Sequence, residues 1–95
     1  MKKEIQITVP ESVMAGNYSN LVMITHASTE FYLDFAQSGP GIVDPVVRSR
    51  IILAPESAKS LMLALKDNIE KYERQYGGIR LSENRIPLSA SHAEA

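Results

Sequence analysis

The sequence predicts an α+β fold, a four-stranded antiparallel sheet arranged as a meander and followed by one long C-terminal amphipathic helix packed on or across it. Three observations carry that expectation. Short runs with period-two apolar alternation occupy the first half of the chain, turn residues separate them, and a single run with helical period begins at Pro55. The chain has 95 residues, which is room for one domain, and a chain of this size buries only about 60–65% of the surface it exposes when unfolded. The expected organisation is a single ββββα domain over residues 1–78 and a mobile C-terminal tail over residues 79–95.

In the first expected strand Ile5, Ile7 and Val9 alternate with Glu4, Gln6 and Thr8, and Pro10 ends it by removing a ladder donor. Residues 11–20 carry Gly16-Asn17 and Ser19-Asn20 and read as a connection. Leu21 to His26 is apolar on both faces at first, as in a strand covered on two sides or lying at a subunit contact. After the polar turn Ala27-Ser28-Thr29, Phe31, Leu33 and Phe35 alternate with Tyr32, Asp34 and Ala36 in a third strand that pairs back as a hairpin. Gly39-Pro40-Gly41 marks a loop, since neither a lysine nor a helix N-terminus follows it as a phosphate-binding loop requires. Val46 to Leu53 then forms the fourth strand, with Val47, Ile51 and Leu53 on one face and Arg48 and Arg50 on the other.

Pro55 is a helix start signal, because the missing N–H of proline has no partner at the first helical position anyway. Ala58, Met62, Leu65, Ile69, Tyr72 and Tyr76 recur at steps of four and three, Leu61 widens the stripe, and Gly77-Gly78 supplies the stop. The helix is expected over residues 55–76.

Composition excludes several classes of chemistry. There is no cysteine, so thiolate zinc sites, iron–sulfur clusters, thiol nucleophiles and disulfides are absent together. A net charge of −1, with 22% charged and 44% hydrophobic residues, is ordinary for a globular domain and gives no global field for nucleic acid or an anionic membrane. The N-terminus alternates instead of running apolar, and no stretch is long enough to span a bilayer, so a cytoplasmic location is expected. Of the two histidines, His92 lies in the tail and His26 ends a strand beside Thr25 and Ser28, where it reads as a surface residue near a turn. No catalytic, metal-binding or cofactor-binding set emerges, and the chain is expected not to be an enzyme.

Arg48 and Arg50, with Tyr32 on the neighbouring strand, form the one arrangement with a functional reading. Cations beside an aromatic are how an exposed sheet holds single-stranded nucleic acid. The competing reading, which the residues favour, is a polar sheet face in which Asp34 pairs an arginine across strands. Leu61, Leu65, Tyr72 and Tyr76 are the expected interface anchors on the helix.

Tyr18-Ser19-Asn20, Glu30-Phe31 with Asp34-Phe35, Ser49-Arg50-Ile51-Ile52, Pro55 with Ala58-Lys59, and Lys66-Asp67-Asn68-Ile69 through Tyr72-Glu73 carry a resemblance. Over residues 5 to about 80 the chain resembles the bacterial and archaeal family called domain of unknown function 3467. One departure is Ala54, where that family's pattern has Ser or Thr before the proline; alanine cannot cap, at a cost of about 1 kcal/mol. The resemblance implies no activity. Ser49-Arg50-Ile51, Asn68-Ile69, Tyr72 and Tyr76-Gly77 are also similar to Pur-alpha type repeats, which implies intertwined pairing and single-stranded nucleic-acid binding of a Pur-alpha or Whirly-like kind. The expected function is thus a homodimeric binding or interaction module, with a single-stranded nucleic-acid binder using Arg48, Arg50 and Tyr32 as the alternative.

Overall fold

The computed structural model describes residues 4–82. The elements follow in the order α1 (Glu11–Met14), β1 (Leu21–His26), β2 (Phe31–Ala36), β3 (Val47–Leu53) and α2 (Pro55–Tyr76). The sheet is an antiparallel meander, β1-β2-β3. It has three strands where four were expected, because residues 4–10 take no regular secondary structure. Alternation in Ile5, Ile7 and Val9 specifies which side chains would share a face; it does not bring a partner edge within reach. Residues 11–20 hold the short helix α1, which the reading of that stretch as a plain connection lacked. The tail expectation falls outside the described residues from 83 onward, as does His92, while residues 79–82 are without regular structure.

β1 and β2 pair without interruption from Leu21↔Ala36 to His26↔Phe31. At the start of β1 the ladder is extended by side chains. Asn20 Nδ2 donates to the Ser38 carbonyl at 3.0 Å, the Ser38 N–H donates to Asn20 Oδ1 at 2.8 Å, and the Ser19 hydroxyl donates to the Ala36 carbonyl at 2.8 Å. The Asn20 amide thereby imitates one more backbone pair, the use for which a short amide side chain at a strand end is suited.

β2 and β3 pair from Phe31↔Leu53 to Phe35↔Ser49, and the register then slips so that Val47 lies opposite Ala36. Arg48 is the extra residue of a β-bulge. A one-residue slip exchanges faces, so Val47 sits on the face of Asp34 and Arg50 and not, as the unbroken alternation predicted, with Ile51 and Leu53. The loop before β3 turns at Gly39-Pro40-Gly41-Ile42, where the Ile42 N–H donates to the Gly39 carbonyl at 3.0 Å and Gly41 has φ 83°. This is a type II turn, with proline at its second position and glycine where φ must be positive.

The sheet therefore has two unlike faces. One carries Leu21, Met23, Thr25, Tyr32, Asp34, Ala36, Arg50 and Ile52; the other carries Val22, Ile24, His26, Phe31, Leu33, Phe35, Ser49, Ile51 and Leu53. The second is almost wholly apolar. The α1 region lies across one end of it, leaving a recess of about 390 Å³ between Ser12, Val13, Asn17 and Phe35, Ser49, Ile51. Among the described residues the core is thin, with only Leu33, Ala36 and Asp34 buried.

α2 has the bounds that the sequence predicts. Its first turn has no side-chain cap at Ala54, whose φ −64° and ψ 156° are nevertheless those of a cap residue. At the other end Gly77, φ 100°, closes the helix with its N–H on the Glu73 carbonyl, and the Glu73 carboxylate accepts the Ile79 N–H at 2.8 Å. The expected packing of this helix on the sheet does not occur within the chain. α2 meets the sheet only marginally, at β3, and within it Ala58 and Glu73 alone are even half-buried. Ala54 is the whole connection between β3 and α2, too short for the helix to turn back over its own strands.

Candidate functional site

The polar face of the sheet brings two of the three residues of the sequence-predicted site together. Asp34 and Arg50 occupy one register position across β2 and β3, and Arg50 Nε donates to Asp34 Oδ1 at 2.6 Å while Nη2 donates to Oδ2 at 3.0 Å. Such a two-pronged pair matches the planar fork of the guanidinium to the carboxylate. The Arg50 guanidinium also lies 5.3 Å from the centroid of the Tyr32 ring, within cation–π range. The Tyr32 hydroxyl donates to Glu30 Oε1 at 2.6 Å.

Each contact shifts a proton equilibrium. The Arg50 hydrogen bonds hold the Asp34 carboxyl below its ordinary value against the opposing effect of burial, and Asp34 in turn raises the Arg50 guanidinium. The hydrogen bond to Glu30 raises the Tyr32 phenol, with desolvation and the Glu30 charge adding to it and the Arg50 charge opposing. The cross-strand pairing by Asp34 is thus the local structure, and Arg50 is already engaged by an anion of its own chain.

Arg48 stands apart. The bulge carries it toward the loop before β3, where Nη1 donates to Gln37 Oε1 at 3.4 Å and the side chain lines a shallow recess of about 260 Å³ with Ile42, Asp44 and Val46. A two-arginine face, which the period of the strand suggested, is divided by one inserted residue. Glu30 and Gln37, the acceptors for Tyr32 and Arg48, carried no sequence signal beyond their polarity. His26 rests against Phe31 with ring centroids 5.4 Å apart, a cross-strand contact at the hairpin end. Among the described residues no group of three or more His, Asp or Glu side chains could hold a metal ion, and no helix is long and apolar enough to cross a membrane.

The second surface is α2. Leu61, Met62, Leu65, Ile69, Tyr72 and Tyr76 lie between 38% and 66% exposed along one stripe of a helix that spans about 33 Å. Tyr72 and Tyr76 pack ring on ring at 4.9 Å, and Met62, Leu65 and Ile69 line an open apolar recess flanked by Lys66 and Glu70. Away from the stripe, Lys71 pairs with Asp67 at 3.0 Å and Lys66 approaches Glu70 at 3.9 Å, both one turn apart. Those i,i+4 pairs satisfy the polar side internally, the pattern of a side that faces water.

The family model described as Protein of unknown function (DUF3467) matches residues 1–81. None of the curated proteins and none of the solved structures matches the chain.

Proposed function

The chain belongs to the DUF3467 family, whose description names no activity, and we propose from its geometry that it acts as a homodimeric, non-enzymatic interaction module in which α2 seats on the apolar sheet face of a second copy. The observation that supports this reading is the apolar stripe of a 22-residue helix that no other described residue covers. Helix on sheet is the ordinary two-layer solution for burying both surfaces. The one-residue connection at Ala54 leaves a second copy as the way to reach it.

Area decides between two forms of pairing. With about 100 Å² for an aliphatic side chain and about 200 Å² for an aromatic, the half-exposed stripe offers about 400 Å² per copy, so a helix-on-helix pair would bury about 800 Å² in total, the size of a lattice contact. Adding the sheet face, where Val22, Ile24 and Ile51 are 37–45% exposed, brings a reciprocal exchange to about 1,040 Å², past the roughly 1,000 Å² that a biological interface has to clear. Sedimentation over a micromolar concentration series tests the reading: a concentration-dependent dimer supports it, and a strict monomer throughout sinks it.

The single-stranded nucleic-acid reading stands second. The pairing of Tyr32 with a half-exposed Arg50 guanidinium favours it, and the engagement of that guanidinium by Asp34 weakens it. Salt-dependent binding of short single-stranded DNA that is lost with Arg48→Ala, Arg50→Ala would promote it, because released counterions report phosphate contacts.

A further inference from the structure

Residues 5–9 have the pattern of a strand and no strand to pair with. Ile5 is 80% exposed, Ile7 85% and Val9 55%, and among the described residues no backbone hydrogen bond holds this segment. Among the described residues the sheet has two free edges, and they differ in kind. β3 carries Arg48 and Arg50 and the bulge at Arg48, all devices that discourage strand addition. β1, Leu21–His26, carries no Lys, Arg, Asp, Glu or Pro and pairs with β2 in unbroken register. By the same logic it is an unguarded edge, of the kind that natural sheets cover.

Among the described residues no strand covers that edge. The α1 region lies over Phe35, Ser49 and Ile51, on β2 and β3, while Asn20 is clamped to Ser38 at the start of β1. Residues 5–9 take no part in the sheet of their own chain. We propose that residues 5–9 are a fourth strand supplied in trans, added to the β1 edge of a second copy. Five residues span about 17 Å, comparable with the six of β1. Main-chain hydrogen bonds supply the affinity and the alternate residues Ile5, Ile7 and Val9 supply one apolar face, the mode of β-strand addition. This inference rests on the dimer reading and specifies one of its contacts.

Amide hydrogen exchange read by mass spectrometry, at concentrations above and below dimer formation, tests it on the full chain. In the dimer the amides of residues 5–9 are expected to be protected about tenfold or more relative to the monomer. A Gln6→Pro, Ile7→Pro double variant removes two consecutive N–H groups, one of which must face the ladder, and is expected to weaken dimerisation about tenfold. The segment is exposed and belongs to no strand or helix, so the variant is expected to retain its sheet by circular dichroism. A dimer whose residues 5–9 exchange freely, protection that is independent of concentration, or a double variant that dimerises like the wild type overturns the trans strand and leaves the dimer standing. A protein that stays monomeric overturns the dimer reading and the strand with it.

Discussion

Asp34 and Arg50 face each other across β2 and β3 as an unequal pair: the carboxylate side chain is 4% exposed and the guanidinium side chain 56%. Burial makes Asp34 the dependent partner. Its charge has left water and is compensated by Arg50, while Arg50 keeps much of its own hydration. The two arginines of β3 should consequently differ. Arg50→Ala strands a buried carboxylate and is expected to cost about 1–3 kcal/mol in urea unfolding, whereas Arg48→Ala, which loses one long contact to Gln37, should stay within about 0.5 kcal/mol. Equal costs for the two would show that the pair contributes nothing special.

The same pair sets an acid limit. Because the folded pKa of Asp34 is lowered, the stabilisation is fully present above the unfolded value of about 3.9. It declines as the pH falls from there through the lowered folded value. Thermal midpoints followed into acid should therefore drop more steeply for the wild type than for Asp34→Asn, which has no charge to lose at this position. Parallel curves would contradict the assignment.

Tyr32 gives an alkaline counterpart. Glu30 raises its phenol, so Glu30→Gln is expected to bring the titration of Tyr32 back toward the ordinary tyrosine range. Chemical shifts of the Tyr32 ring against pH read this directly, and an unmoved midpoint in the variant would mean that the hydrogen bond to Glu30 is not kept in solution.

Two leucines of α2 separate a docking stripe from mere exposure. Leu65 and Leu63 are 54% and 55% exposed, yet Leu65 lies on the stripe and Leu63 on the opposite side of the helix. Leu65→Asp is expected to dissociate the dimer in sedimentation, while Leu63→Asp leaves it intact. If both variants dissociate alike, the stripe is not the contact.

At the other helix end, Ala54 already holds the backbone angles of a cap and lacks only the oxygen. Ala54→Ser should therefore raise stability by about 0.5–1 kcal/mol in denaturant unfolding. A neutral or destabilising result would place the Ala54 methyl in a packing role.

Much of the fold was written in local pattern. The helix bounds follow from Pro55, a stripe of steady period and Gly77; the hairpin of β1 and β2 follows from the apolar run before Ala27-Ser28-Thr29 and the alternation after it; the turn at Gly39-Pro40-Gly41 follows from a proline and a glycine at the positions where a type II turn needs them. Each depends on residues close in sequence, whose backbone preferences act before any distant contact forms. The Asp34 pairing was legible on a different ground, since an acid and an arginine of neighbouring strands on one face have few other partners.

The rest depended on contacts between segments far apart in the chain. Alternation in Ile5, Ile7 and Val9 has the same appearance whether or not an edge lies beside it, so only the tertiary structure could decide that residues 5–9 stay outside the sheet of their own chain. The bulge at Arg48 arises from the register that Phe35 and Ala36 impose on β3, and that single inserted residue parted Arg48 from Arg50 and moved Val47 to the other face. For α2, the sequence determined a helix with one apolar side. The tertiary structure decided that the sheet of the same chain does not cover this side, because one residue between β3 and Pro55 fixes the direction of a rigid rod before its side chains can select a surface.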